Sequence, residues 1–163
     1  MPILATLGIK NLYYAPVNSS DPRTMPATGY KKVDVYQDTC TFVDKDPTIT
    51  EHKSETSSKK IIMKTKESAD LTFSIMDPSH DERVAFCGGS DTSGTYAEPE
   101  TAQNIELALV VEPQEGDFLC ISCASIAAKN NTTYSAKGIT LLEVTANPEY
   151  AYKFTPTSPI TSD

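Results

Sequence analysis

Leu71, Phe73 and Ile75 fall on one side of an extended segment, while Asp70, Thr72 and Ser74 fall on the other. This period of two predicts a half-buried strand over 69–75. The same alternation returns in Ile105, Leu107, Leu109 and Val111 against Glu106, Ala108 and Val110, and in Val33 and Val35 against Asp34 and Tyr36. The strand at 33–36 is expected to run on through Thr39 to Val43. Further strand-like runs cover 60–65, 117–127, 139–144 and 150–154, giving about seven to nine strands in all. Turns are expected at Pro113–Gly116 and at Lys129-Asn130-Asn131. Connections within 103–154 are too short for a parallel crossover, so these strands should pair antiparallel.

One helix interrupts the strands. Asp77 is a capping residue and Pro78 suits a first helical position. Asp81 and Glu82 lie where the helix dipole favours acids, and Gly88-Gly89 can end the element. The prediction is a helix of about ten residues over 78–87. Residues 88–102 read as a loop of Gly, Ser, Thr and acids, and 15–29 as a loop punctuated by Pro16, Pro22 and Pro26. Ile3, Leu4, Leu7, Ile9, Leu12, Tyr13 and Tyr14 mark a first strand or an N-terminal arm, and 155–163 a C-terminal arm. The chain is thus expected to be one mostly β domain over 1–163. It should form an antiparallel β-sandwich or partly closed β-barrel with one short flanking α-helix, a long hairpin loop and extended terminal arms.

The segment 44–60 departs from this alternation. Its only large aliphatic residue is Ile49, and four acids (Asp44, Asp46, Glu51, Glu55) balance four lysines (Lys45, Lys53, Lys59, Lys60). Together with His52 they form a stretch with too little apolar surface to bury itself. It is expected to be a long, mobile β-hairpin extension or loop, ordered only by contact with something else.

At 163 residues the chain is long enough for a core without covalent staples. A formal net charge of −8 argues against a nucleic-acid reader and against an anionic membrane surface as partner. The charge is uneven: between Val84 and Ala128 there is no Lys or Arg, while Asp91, Glu98, Glu100, Glu106, Glu112, Glu115 and Asp117 fall there. One face should therefore be acidic, either as a solvated surface or as a wall that repels polyanions. Met1-Pro2-Ile3-Leu4 lacks the basic start of a secretory signal, and no apolar run approaches membrane-spanning length. The expectation is a soluble product folded where it is made.

Candidate chemistry is sparse. Cys120 and Cys123 form a C-x-x-C inside a strand-like run, and in a flat strand such positions point to opposite faces. With Cys40 and Cys87 they read as free thiols in a reducing compartment. Asp44-Lys45-Asp46 with Glu51 lacks the glycine and glutamate spacing of a calcium loop. His80 has no partner visible in the sequence, and the sequons at Asn18, Asn130 and Asn131 matter only on a secretory route. No nucleophile, paired acid and base, or metal ligand set is nominated, and no cofactor is expected.

Asp38-Thr39-Cys40-Thr41-Phe42, then Ile49-Thr50-Glu51-His52-Lys53-Ser54-Glu55, Lys64-Thr65-Lys66, Leu71 through Pro78 and the glycine-ended Val84–Gly89 form a pattern. It resembles the major tail tube proteins of tailed bacteriophages over about half of the chain. The resemblance implies a β-domain that joins copies of itself into rings, usually hexamers, stacked into a conduit for DNA. It implies that 44–60 contacts the neighbouring ring, and that the first 30 residues and the tail from Thr155 reach adjacent subunits. It further implies tape-measure, tail terminator and baseplate proteins as partners, DNA passing without sequence-specific binding, no membrane, and a place in the virion tail after assembly in the host cytoplasm. Asp91, Glu98, Glu100 and Glu106 would then be candidate lumen acids. The proline-rich 15–29 and the C-x-x-C are departures from the family pattern.

A tube subunit of a contractile injection or type VI secretion apparatus fits the same features. A β-sandwich binding module, monomeric or trimeric, such as a capsid decoration or adhesin-like domain, is the alternative of a different class. An enzyme would require His52, His80 and carboxylates to converge in a pocket.

Overall fold

The structure, a computed structural model, describes residues 8–160. Twelve strands and one helix follow in the order β1 (Asn11–Pro16), β2 (Lys31–Val33), β3 (Thr41–Val43), β4 (Thr48–Lys53), β5 (Lys60–Thr65), β6 (Asp70–Met76), α1 (His80–Cys87), β7 (Ser90–Thr92), β8 (Thr95–Ala97), β9 (Ile105–Glu112), β10 (Phe118–Thr132), β11 (Thr140–Pro148) and β12 (Lys153–Thr155). Eight strands form one antiparallel sheet in the order β2-β1-β9-β10-β11-β6-β3, with β12 beside β10. The mostly β, antiparallel fold with one short helix is as the sequence pattern predicts. Ile3, Leu4 and Leu7 of the expected N-terminal arm, and the last three residues of the C-terminal one, lie outside the described residues.

The sheet curls on itself without closing into a barrel. A single segment draws its two ends together. Lys31–Val33 pairs with β1, and the same segment turns directly to β6 over the next three residues, Asp34 to Tyr36. Val35 bridges Ile75, the Met76 N–H donates to the Asp34 carbonyl at 2.7 Å, and the Tyr36 N–H donates to the Ser74 carbonyl at 2.8 Å. Inside the curl lies one core: Leu12 and Tyr14 from β1, Leu71, Phe73 and Ile75 from β6, Leu107 and Leu109 from β9, Ile121 and Ala124 from β10, and Leu142 and Val144 from β11. The alternation at 71–75 is realised directly, since all three apolar side chains are buried. Phe86 plugs the core from α1, edge-on to Tyr14 at 4.9 Å and to Phe73 at 6.0 Å between ring centroids.

Three expectations are corrected. The helix starts later than its sequence suggests: Ser79, not Asp77, is the N-cap, its hydroxyl accepting from the Glu82 N–H at 3.2 Å. Asp77 instead takes a left-handed conformation (φ 48°) that turns the chain out of β6. Residues 90–97 are not loop but a small hairpin, β7–β8, whose Gly89 has φ 92° and approaches the Ala97 carbonyl so closely that a Cβ would collide with it. The turn expected at 129–131 is strand: β10 runs through Thr132 because β11 pairs with it from Ala124 onward. The strand expected over 60–65 exists as β5, but it pairs only with β4 and is outside the main sheet.

In β9 the strict alternation fails, because Ala108 and Val110 on the outer side are as buried as Leu107 and Leu109 on the inner. The proline-rich loop after β1 lies against this side of the sheet. Its Arg23, Thr24 and Met25 share a pocket with Cys120 and Ser122 of β10, its Pro26 is buried, and the Tyr30 hydroxyl donates to the Pro26 carbonyl at 2.7 Å. A loop with pre-set proline dihedrals loses less entropy when it is laid over a sheet.

Candidate functional site

Strands β4 and β5 form a free-standing arm. Thr48 faces Thr65, Ile49 faces Lys64, Thr50 faces Met63, Glu51 faces Ile62, His52 faces Ile61 and Lys53 faces Lys60. At the tip the Ser54 N–H donates to the Lys59 carbonyl at 2.9 Å. Every residue of both strands is exposed. Of the residues singled out from sequence, Ile49, Glu51, His52 and Lys53 are on β4, Lys60 opens β5, and Glu55 and Lys59 are at the tip. Asp44, Lys45 and Asp46 lead into the base. There two contacts tie the arm to the body, the Tyr152 hydroxyl donating to Asp44 Oδ2 at 2.6 Å and Lys45 pairing with Asp70 of β6 at 3.4 Å, and the Thr48 hydroxyl donates to Glu67 at 2.7 Å across the arm's own two roots. Phe42, Tyr152 and Phe154 stack edge-on beside this base.

Cross-strand partners share a face, so the register sorts the arm into two unlike surfaces. One carries Ile49, Glu51, Lys53, Lys60, Ile62 and Lys64, with Glu51 paired to Lys60 at 3.6 Å and to Lys53 at 3.9 Å. The other carries Thr48, Thr50, His52, Ile61, Met63 and Thr65, and holds no carboxylate or ammonium. Ile49, Ile61, Ile62 and Met63 are 58, 53, 48 and 58 % exposed, which makes them half of the large apolar side chains left open among the described residues. A two-stranded hairpin is marginal in water. Ile61 and Met63 lie on the uncharged face and Ile49 and Ile62 on the other, so a further layer on one face would bury two of the four.

The four candidate lumen acids do not form one group. Asp91 lies on β7 opposite Tyr96 and accepts from, or pairs with, His80 Nδ1 at 3.3 Å. Glu98 and Glu100 follow β8 and line a cavity with Phe86, Tyr96 and Gln103. Glu106 is on β9 beside Cys123 and Glu149.

This last trio was not nominated by the sequence. Between Ile121 and Ala124 the register of β10 against β9 slips by one residue, a β-bulge. Ile121 and Ala124 both remain in the core, so Cys120 and Cys123 both lie on the outer side, not on opposite faces as a flat strand would place them. The Cys123 sulfur is 3.2 Å from Glu149 Oε2 and 3.5 Å from Glu106 Oε2, and its one proton serves two acceptors. Burial, with the two carboxylates, pushes its thiol up to about 12. Burial pushes Cys40 and Cys120 up to about 11, with Lys153 acting the other way on Cys120. Such protonated thiols are poor nucleophiles. All four cysteines are free. The donor atoms of the trio lie within 4.8 Å of one another, but an S–H held between carboxylates is a hydrogen-bonded cluster in its own right. His52 and His80 do not converge, since one is on the arm and the other opens α1. No helix among the described residues is long and apolar enough to cross a membrane.

No protein-family model matches the chain, and no curated protein matches it.

Proposed function

We propose that this chain is a structural subunit that assembles with copies of itself into stacked rings, as the tube of a bacteriophage tail, with the β4–β5 arm seated on a neighbouring ring. The arm carries the reading. It projects from the sheet, is tied down only at its base, and exposes Ile49, Ile61, Ile62 and Met63. An isolated two-stranded ribbon gains its order from a partner surface. The sheet also leaves an edge for a neighbour: β9 pairs with β10 only as far as Ile126, while β10 continues to Thr132. Edges of this kind are blunted in monomers and used in assemblies. Contacts of arm to body are heterologous, and heterologous contacts propagate rings and filaments.

With the resemblance in 38–42, 49–55, 64–66, 71–78 and 84–89, this reading carries its partners with it. They are other copies of the chain, then tape-measure, tail terminator and baseplate proteins, with DNA passing through the channel unread. The place of action is the virion tail. No catalytic role is proposed.

The test is electron microscopy across a concentration series, with mass photometry alongside. Rings with a central channel that stack as concentration rises are expected for the full chain. A variant in which 48–65 is replaced by a short Gly-Ser linker should fold but fail to stack. A full chain that stays monomeric at every concentration would overturn the reading and favour the binding module.

A further inference from the structure

We propose that the pocket between the proline-rich loop and the outer side of β10 binds a small oxyanion. The site is independent of the arm and of the assembly reading. Arg23 and Thr24 from the loop, Cys120 and Ser122 from β10, and Lys153 from β12 line a cavity of about 260 Å³. Two cations face it and no carboxylate lines it, in a chain whose net charge is −8. Among the described residues neither Arg23 nor Lys153 is within ion-pair distance of an acid. The acid nearest in sequence, Asp21, is occupied by its own turn: one oxygen accepts from the Arg23 backbone N–H at 3.0 Å, and the other from the Thr24 hydroxyl at 2.9 Å. The Arg23 guanidinium lies over the Tyr150 ring at 5.2 Å. Stacking holds that group in place and leaves its in-plane N–H donors open.

The floor supplies the second observation. Ser122 is 6 % exposed, and its Oγ has no hydrogen-bond partner among the described residues. An orphaned buried hydroxyl calls for an explanation, because it bears its full desolvation penalty with no bond to offset it. It sits in the β-bulge, a device that re-aims side chains beside sites. Next to it Cys120 keeps its proton, so beneath the two cations lie a neutral thiol and an unpaired hydroxyl, both buried, instead of a thiolate that would repel an anion. The lining thus offers donors and positive charge, the complement of a ligand that only accepts. The volume leaves room for a phosphate-sized group and a few waters of roughly 30 Å³ each. The ligand class is a small oxyanion, either free phosphate or a carboxylate presented by another molecule.

The probes are inorganic phosphate and acetate, titrated separately into the full chain at low ionic strength and followed by backbone amide shifts. Saturable shifts centred on Arg23, Ser122 and Lys153 are expected. Arg23→Gln and Lys153→Gln should each weaken binding roughly tenfold, as loss of one charge-assisted hydrogen bond does. Ser122→Ala should weaken it several-fold without lowering the melting temperature, which also shows that the variant folds. Saturation by phosphate alone identifies a free tetrahedral anion. Saturation by both probes identifies a carboxylate-competent seat. Shifts that never saturate, or that are unchanged in the Arg23→Gln/Lys153→Gln double variant while Lys129→Gln behaves like the parent, would overturn the proposal.

Discussion

Tyr152 donates its hydroxyl hydrogen to Asp44 across 2.6 Å, joining two residues 108 positions apart at the root of the β4–β5 arm. The carboxylate accepts only while the phenol keeps its proton. The phenol is accordingly raised above its ordinary value, first by this hydrogen bond, then by desolvation and by the Asp44 charge. A group raised in the folded state contributes stability below its unfolded value, and that contribution disappears as pH climbs through the folded value. Ultraviolet titration should show Tyr152 ionising later than a free tyrosine, and Asp44→Asn should move it back. The same substitution should speed hydrogen exchange at 44–48 and 64–68 while leaving the core strands as protected as before.

Phe86 is the one fully buried side chain of α1, packed edge-on against Tyr14 and Phe73. Phe86→Ala should cost about 3–5 kcal/mol of unfolding free energy, because the curled sheet cannot collapse into the space. Urea denaturation measures it. Phe86→Leu should recover most of the loss.

The two faces of the arm make opposite demands on a partner. Burying the face with Glu51, Lys53, Lys60 and Lys64 would strip water from four charges, whereas the face with His52, Ile61 and Met63 has none to strip. Ile61→Glu/Met63→Glu should therefore abolish stacking, and Lys60→Gln/Lys64→Gln should leave it nearly unchanged. Both pairs should alter the melting free energy by no more than about 0.5 kcal/mol, since these residues are open in the single chain. Sedimentation velocity beside thermal melting separates the two quantities.

Cys40 and Cys120 are held at about 11 and Cys123 at about 12. All three should react slowly with a disulfide reagent near pH 8 in the native protein and rapidly in denaturant. Glu149→Gln removes the carboxylate that raises Cys123 most after burial, so it should accelerate labelling of that thiol alone. Mass spectrometry after partial labelling reads the site.

Under the proposed tube assembly, the acids of 91–106 are tested in the assembled particle. Glu98→Lys/Glu100→Lys should slow DNA ejection if that loop faces a channel, by turning repulsion of the phosphate backbone into attraction. Ejection at the parental rate would place these residues on another surface.

The sequence made the strands legible wherever one side meets the core and the other meets water. Leu71, Phe73 and Ile75 are such a case, and their strand is found within a residue of its expected bounds. It misled where a second cover was present: nothing local to Ala108 and Val110 reveals that a loop starting some 90 residues earlier is packed against that part of the sheet. Lys129 to Asn131 read as a turn because Asn and Lys have low strand propensity, yet pairing with Asn130↔Leu142 and its neighbours overrides it. The arm was legible as a polar hairpin or loop leading into a strand at 60–65, but the strand at 48–53 was not, since Thr48, Thr50 and His52 show no apolar period. The Glu106–Cys123–Glu149 cluster depends on a bulge, and a one-residue slip leaves no signature in sequence.

Leu12 of β1 pairs with Val111 of β9, and the sheet has no nearer partner for that side of β1. On a ribosome adding about 5–20 residues each second, the first strand waits roughly 5–20 s for the one that completes it. During that interval Leu12 and Tyr14, destined for the core, have only β2 beside them. The nascent chain therefore carries an open apolar edge for most of its synthesis, so burial of Leu12 and Tyr14 waits on residues nearly a hundred positions away.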